Sequence, residues 1–242
     1  MRLSDLVSNP PQLHRDPSGN AVFWGVSGHL LEFLDTHVAP GLRTLETGAG
    51  VSTLLFGVKG AQHICVVPDE DLVIRIKKYA AEKELSLSRV SFEISPSETL
   101  LPQLNPNSLD LVLIDGRHAF PTPFIDWYYA ASALDIGGIV IVDDTHLWTG
   151  HVLKQFLLRE PEWQLVADFE PRSVAFKKLA AGSHSKEWNE QPYVVENSLH
   201  LYPTNVDDLG CYVDSRFLQQ QELKRSGNNW RSALKRLISG KA

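Results

Sequence analysis

Thr44-Leu45-Glu46-Thr47-Gly48-Ala49-Gly50-Val51-Ser52-Thr53 is the stretch that decides the fold. The apolar run Leu42–Glu46 reads as a strand and leads into two closely spaced glycines. Val51, Leu54, Leu55 and Val58 then recur at the spacing of one helix face. Strand, glycine turn and helix open a βαβ unit, whose helix N-terminus points free N–H groups at a ligand. Outward from this unit the pattern repeats. His63–Val67, Val90–Ile94, Leu109–Ile114 and Ile139–Val142 read as further strands, apolar almost throughout, as expected of strands covered on both faces. Leu72, Ile76, Tyr79 and Ala80, then Phe124, Tyr128 and Ala131, then Leu153, Phe156 and Leu157 supply helix faces between and after them. Trp163–Asp168 and Ser173–Lys177 follow with only four residues between them, which suits a hairpin and not a crossover. The expectation is an α/β fold: a doubly wound, Rossmann-like sheet of five parallel strands finished by a C-terminal antiparallel hairpin.

The remainder of the chain sets bounds on function. Its 242 residues suit one large domain with appendages, and 43% apolar content suffices for a sizeable core. With 23 basic and 29 acidic side chains the net charge is −6, so nucleic acid is not an expected partner. Cys65 and Cys211 form no metal-spaced cluster and no disulfide framework. No apolar leader opens the chain and no apolar run is long enough to span a membrane, so the expected location is cytoplasmic. Three regions are expected: a helical preface over 1–41 with Phe23–Val38 as its best helix, a ligand-binding domain over 42–179, and a polar extension over 180–242. From Arg216 that extension holds seven Lys/Arg against Glu222 alone, and Trp230, Leu234, Leu237 and Ile238 share a helix face. This basic amphipathic helix either packs on the main domain, joins two copies in a homo-oligomer, or meets an anionic partner.

The glycine turn narrows the ligand. A dinucleotide fingerprint calls for Gly or Ala where Thr53 stands, and a carboxylate facing the turn from Glu46 would repel a pyrophosphate. A P-loop is excluded because no Gly-Lys-Ser/Thr follows. Ligands of open α/β sheets bind at the carboxyl ends of the strands. Those ends carry Glu46, Asp69, Glu70, Asp115, Asp143 and Asp144, with Arg117 the one basic residue in these turns. An acidic crevice favours a cationic ligand, and a sulfonium is such a cation.

Four motifs now stand together: Glu46-Thr47-Gly48-Ala49-Gly50-Val51-Ser52-Thr53, Val66-Val67-Pro68-Asp69, Leu111-Val112-Leu113-Ile114-Asp115-Gly116-Arg117-His118, and Gly137-Gly138-Ile139-Val140-Ile141-Val142-Asp143-Asp144. In order and spacing they resemble the class I S-adenosylmethionine-dependent methyltransferases, and most closely the small-molecule, catechol O-methyltransferase-like branch. The resemblance spans roughly residues 42–178 and implies the seven-stranded methyltransferase fold with S-adenosyl-L-methionine as cofactor. It implies that Glu46, Gly48, Ala49 and Gly50 border the methionine portion, with Ser52 and Thr53 capping the helix or touching its carboxylate. Where the family ends strand two with an acidic residue for the ribose, Val67 stands here and Asp69 comes two residues later. Ser97 either donates to the adenine edge or caps the helix that Glu98 begins. The resemblance also implies Asp115 as a cofactor-binding and catalytic residue.

Methyl transfer is mostly positioning, but a hydroxyl acceptor must lose a proton. His118, three residues after Asp115, is one candidate base. Asp115, Asp143 and Asp144 are the other device: a hard-oxygen set for a divalent cation such as magnesium, although Asp144 stands where catechol-type relatives place an asparagine. His146 and Trp148 are expected to shape an acceptor pocket, and His14, His29 and His63 to be surface or core. The expected activity is methyl transfer to an oxygen or nitrogen of a small-molecule or glycosylated acceptor. The rivals are an NAD-dependent oxidoreductase and a non-catalytic module that keeps the fold.

Overall fold

Alternation along Leu109–Ile114 fixes the two faces of the sheet: Leu111 and Leu113 enter one apolar cluster, Val112 and Ile114 the other. A computed structural model of the chain describes residue 6 and residues 8–104 and 108–198. A short hairpin, β1 (His14–Arg15) with β2 (Ala21–Val22), precedes helix α1 (Gly28–His37). Then follow β3 (Arg43–Thr47), α2 (Val51–Val58), β4 (Gln62–Val66), α3 (Glu70–Glu82), β5 (Val90–Glu93), α4 (Ser97–Leu100) and β6 (Leu109–Ile114). The unit closes with α5 (Thr122–Ala133), β7 (Leu134–Val142), α6 (Trp148–Arg159), β8 (Trp163–Phe169) and β9 (Ser173–Lys178), and α7 (Pro192–Ser198) comes last among the described helices.

Strand order in the seven-stranded sheet is β5-β4-β3-β6-β7-β9-β8. The first five run parallel, and β9 and β8 are antiparallel. The doubly wound sheet with its closing hairpin is the expected one. β7 is longer than the apolar run suggested, starting at Leu134 directly after α5. The order in which strands are added reverses between β3 and β6, so the loops after these parallel strands part there and leave a crevice. Leu30, Leu34, Leu54, Leu55 and Ile76 cover one face from α1, α2 and α3. Trp127, Ala130, Leu153 and Leu157 cover the other from α5 and α6.

The preface departs from expectation. The helix starts at Gly28 and not at Phe23, because Ser27 is its N-cap and accepts the Leu30 N–H at 3.2 Å. Phe23 and Trp24 instead stand outside any helix or strand, 48% and 58% exposed. The chain divides into two units, Met1–Tyr193 and Val194–Ala242. Part of the extension belongs to the first unit: Ser183 takes the Trp163 indole N–H at 3.0 Å, and Lys186 lies 2.5 Å from Glu162 and 3.6 Å from buried Glu160. The basic helix expected near Trp230, and the homo-oligomer contact tied to it, lie outside the described residues. No helix among the described residues is long and apolar enough to cross a membrane.

The position of the α1 start is directly testable. Ser27→Ala should cost about 1 kcal/mol of stability by loss of the cap. Trp24→Ala, at an exposed site outside the helix, should change it by less than about 0.5 kcal/mol. Urea denaturation of both variants decides; equal costs would move the helix start back towards Phe23.

Candidate active site

At the crevice between the loops after β3 and β6 lies a cavity of about 690 Å³. Gly48 opens it. Its φ is +90°, and a Cβ there would fall 2.1 Å from the Asp115 carbonyl oxygen, so only glycine lets the two loops meet. Val66, Val67, Pro68, Leu72 and Pro96 form an apolar wall beyond the ends of β4 and β5. Asp69 and Ser97 border that wall, and Asp115, His118, Asp144 and Arg172 line the opposite end. His14, Phe23 and Trp24 of the preface complete the lining.

The turn is shaped from behind. Because Leu45 faces α5, alternation turns Glu46 towards α2, where it is 1% exposed. Its carboxylate accepts from Ser52 Oγ at 2.7 Å and from Thr53 Oγ1, and His63 Nε2 lies 3.2 Å away. Thr53 Oγ1 in turn accepts the Gly50 N–H at 2.9 Å, and Cys65 Sγ donates to the Gly48 carbonyl at 3.4 Å. This corrects the sequence reading at Glu46 and Ser52, while Thr53 takes the capping role and His63 the core place that the sequence allowed. Glu46 does not face the crevice; its carboxylate is spent on Ser52, Thr53 and His63 behind the turn. Ser52 and Thr53 are also buried and spend their hydroxyls on Glu46; Thr53 caps the helix and touches no ligand space. His63 is a core histidine with a partner, its Nδ1 2.7 Å from Thr44 Oγ1.

The remaining expected residues are at the cavity. Gly48 and Ala49 line it; Gly50 sits one residue behind, its Cα side facing His14 Nε2. Asp69 is the N-cap of α3, accepting the Leu72 N–H at 2.9 Å, with Arg75 3.3 Å away. Ser97 is the first residue of α4 after the N-cap Pro96, and its side chain is buried beside the apolar wall. Burial, then the charges of Asp143, Asp144 and Glu46, push the Asp115 carboxyl well above the usual carboxylate range.

His118 and Asp144 form a pair. His118 Nε2 lies 2.9 Å from Asp144 Oδ2, and the His118 carbonyl accepts from Thr149 Oγ1 at 2.6 Å. Asp144 adopts φ 51°, a left-handed conformation that aspartate tolerates better than most residues, and Gly150 lets α6 approach its carbonyl. Burial works against its charge, but His118 and Arg172 prevail and hold its carboxyl down at about 2.

Asp143 is not part of a converging metal set. It is 2% exposed, accepts from Ser173 Oγ and has Arg172 Nη2 3.8 Å away. The donors that do converge are Asp115, His118 and Asp144, within 4.8 Å of one another. Both Asp144 oxygens are already engaged, Oδ2 by His118 and Oδ1 by Arg172 Nη2 at 2.6 Å. The donor set therefore does not fit a divalent ion.

Sequence reading missed five residues here. Arg172 lies between the hairpin strands, far from any motif. His14 stands 5.9 Å from the Trp24 ring on the preface wall and is neither core nor idle surface. Phe23 and Trp24 were assigned to a helix. Asp126, on α5, is fully buried behind Gly116 and Thr47, with the Ser97 and Thr47 hydroxyls beside its carboxylate. Only the lone acid within an apolar helix face, in Phe124-Ile125-Asp126-Trp127, signalled it.

Comparison with known proteins agrees with this geometry. Residues 45–145 match a family described as methyltransferase domain. No curated protein matches the sequence. Cofactor-bound Rv0187 from MTB shares the fold with a TM-score of 0.59 at 16% identity, over 74% of this chain and 95% of that one. The O-methyltransferase TomG from Streptomyces achromogenes, in complex with SAM, gives 0.54 at 16% identity, over 74% and 89%. A putative rRNA-methylase from Clostridium thermocellum gives 0.52 at 16% identity, over 64% and 96%. Residues 45–145 are thus similar to a methyltransferase domain, and the chain shares the α/β fold of these solved methyltransferase structures.

Asp126 makes the site's stability depend on pH. Burial, only partly offset by the Ser97 and Thr47 hydroxyls, pushes its carboxyl from 3.8 up to about 6. A carboxyl raised on folding favours the folded state below its unfolded value. That advantage is lost as pH rises through the folded one, about 3 kcal/mol in all for this shift. Asp126→Asn should therefore gain stability relative to wild type between pH 4 and pH 8, with denaturant midpoints as the readout. A difference that stays flat with pH would contradict the assignment.

Proposed function

We propose that this chain transfers the methyl group of S-adenosyl-L-methionine to an oxygen or nitrogen of a small-molecule or glycosylated acceptor. The observation that carries the proposal is the His118–Asp144 pair opening into the same cavity as the Gly48 turn. The cofactor fits that cavity chemically. Gly48 and Ala49 leave room for close backbone approach, and Val67, Pro68, Leu72 and Pro96 offer an apolar slot for a purine. Asp69 and Ser97 supply polar groups at the slot's edge, and the Asp115 and Asp144 end suits a cation. The bound cofactor supplies an activated methyl group on a sulfonium. The fold itself pairs well with TomG, whose structure holds SAM.

The protein's own part is proton removal and orientation. With Nε2 directed at Asp144, the His118 imidazole keeps Nδ1 for the acceptor's proton. Asp144 fixes that tautomer and steadies the charge formed on the ring, as a carboxylate behind a general base does. Thr149 holds the backbone of His118 and so sets where the ring stands. Phe23 and Trp24 screen the cavity from solvent on the preface side. Against an RNA acceptor stand the net charge of −6 and the carboxylates Asp69, Glu98 and Asp144 around the cavity.

Two measurements test the reading. Calorimetric titration should show S-adenosylmethionine or its demethylated product binding with a Kd on the order of micromolar, and NAD much more weakly; NAD outcompeting both would reject it. His118→Ala should bind the cofactor as wild type does while turnover on an accepted substrate falls by ~10²–10⁴-fold. Unchanged turnover would leave positioning alone as the source of catalysis.

A further inference from the structure

Three carboxylates, Asp115, Asp143 and Asp144, end β6 and β7, and one guanidinium reaches them from elsewhere in the chain. Arg172 lies in the turn between β8 and β9. Its Nη2 is 2.6 Å from Asp144 Oδ1 and 3.8 Å from Asp143 Oδ2, while Nη1 donates to the Gly25 carbonyl at 3.3 Å. Its backbone is tied down at the same place. The Thr145 N–H donates to the Arg172 carbonyl at 2.7 Å, and Thr145 Oγ1 donates to the Pro171 carbonyl at 3.1 Å. The turn is thus fastened one residue past Asp144, and the side chain reaches its target from an anchored base.

We propose that Arg172 stands in the place of a divalent cation at this carboxylate set, so that the site's positive charge is built into the chain. A metal ion at the ends of β6 and β7 would need at least two free carboxylates. Asp143 is turned into Ser173, and Asp144 divides its oxygens between Arg172 and His118. A guanidinium cannot give up its charge, so it excludes a dication from the oxygens that it holds. Its fork bridges Asp144 to the Gly25 carbonyl, joining the carboxylate that orients His118 to the preface that walls the cavity. Arg172 is therefore a positioning residue for His118. That last role rests on the proposed function; the replacement of a metal does not.

The test uses Mn²⁺ alone, followed by electron paramagnetic resonance. Wild-type protein should show no saturable Mn²⁺ binding up to roughly millimolar concentration. Arg172→Ala and Arg172→Gln should uncover the carboxylates and take up Mn²⁺ with affinity raised roughly tenfold or more. Adding Asp144→Asn should abolish the gained binding, and Arg172→Lys, which keeps a charge, should stay closer to wild type. Saturable Mn²⁺ binding by the wild type that Asp144→Asn removes would overturn the proposal without any Arg172 variant having to fold. So would folded Arg172→Ala and Arg172→Gln variants that take up no Mn²⁺. Calorimetry with S-adenosylhomocysteine on the same samples separates this outcome from a failure of the cofactor reading, which would show as absent binding in the wild type.

Discussion

The buried carboxylate of Glu46 is the interaction on which the cavity depends. A charge that is 1% exposed must be met on every side, and here Ser52, Thr53 and His63 meet it. Meeting it fixes Thr53, and Thr53 fixes the N–H of Gly50. The cavity-facing turn is therefore set by polar groups that lie behind the cavity. Removing one partner would leave a buried donor or acceptor unmatched, which is costlier than the hydrogen bond itself is worth. His63 adds rigidity by stacking on Phe56, with ring centroids 4.2 Å apart. Binding residues on a loop acquire in this way the precision of residues on a strand.

The far end of the cavity solves a different electrostatic problem. Parallel strands bring Asp115, Asp143 and Asp144 to adjacent positions, and burial alone would protonate them or drive them apart. The outcome is a division of roles set by environment. Asp115 and Asp143 are pushed upward, while Asp144 stays charged because His118 and Arg172 both address it. One ionised carboxylate against a fixed guanidinium and an imidazole is a more definite arrangement than three competing acids. The closing hairpin supplies that guanidinium, which gives the antiparallel pair a part in the site as well as in the sheet.

Fold and site were unequally legible in the sequence. Strand after strand was readable because parallel strands buried on both faces are apolar almost continuously, and the helices between them carry the 3.6-residue period. Boundaries failed where a local signal outweighed periodicity. Phe23 to Val38 has a helix-like apolar pattern, but Ser27 caps the helix five residues after the strand Ala21–Val22 ends, and the aromatics before it serve the cavity. Residues whose backbone belongs to a strand end or glycine turn were placed correctly at the crevice: Gly48, Asp69, Asp115, His118 and Asp144. Side-chain direction was less accessible. Glu46 and Asp143 occupy the expected positions and point elsewhere, because one residue's step along a strand changes the face. Arg172 was invisible for another reason: it lies 28 residues from Asp144 along the chain, and only antiparallel pairing of β9 with β7 brings them together.

The same topology explains why apolar and charged linings separate along the cavity. Loops after β4 and β5 lie on one side of the reversal point and present an apolar slot, since Val66, Val67, Pro68 and Pro96 come from strand ends and a short helix start. Loops after β6 and β7 lie on the other side and carry the acids and His118. Gly48, at the reversal of strand order, packs closely against the Asp115 backbone across the divide. A ligand with an apolar planar end and a cationic reacting end is matched to that order, planar end towards β5 and charge towards β7. The preface then closes the one side that the sheet cannot supply. Arg75 binds the Leu13 carbonyl at 2.6 Å and Arg172 binds that of Gly25, so the segment bearing His14, Phe23 and Trp24 is pinned at both ends, once to each half of the cavity. A wall held by its backbone carbonyls leaves its aromatic side chains free to define the shape of what enters.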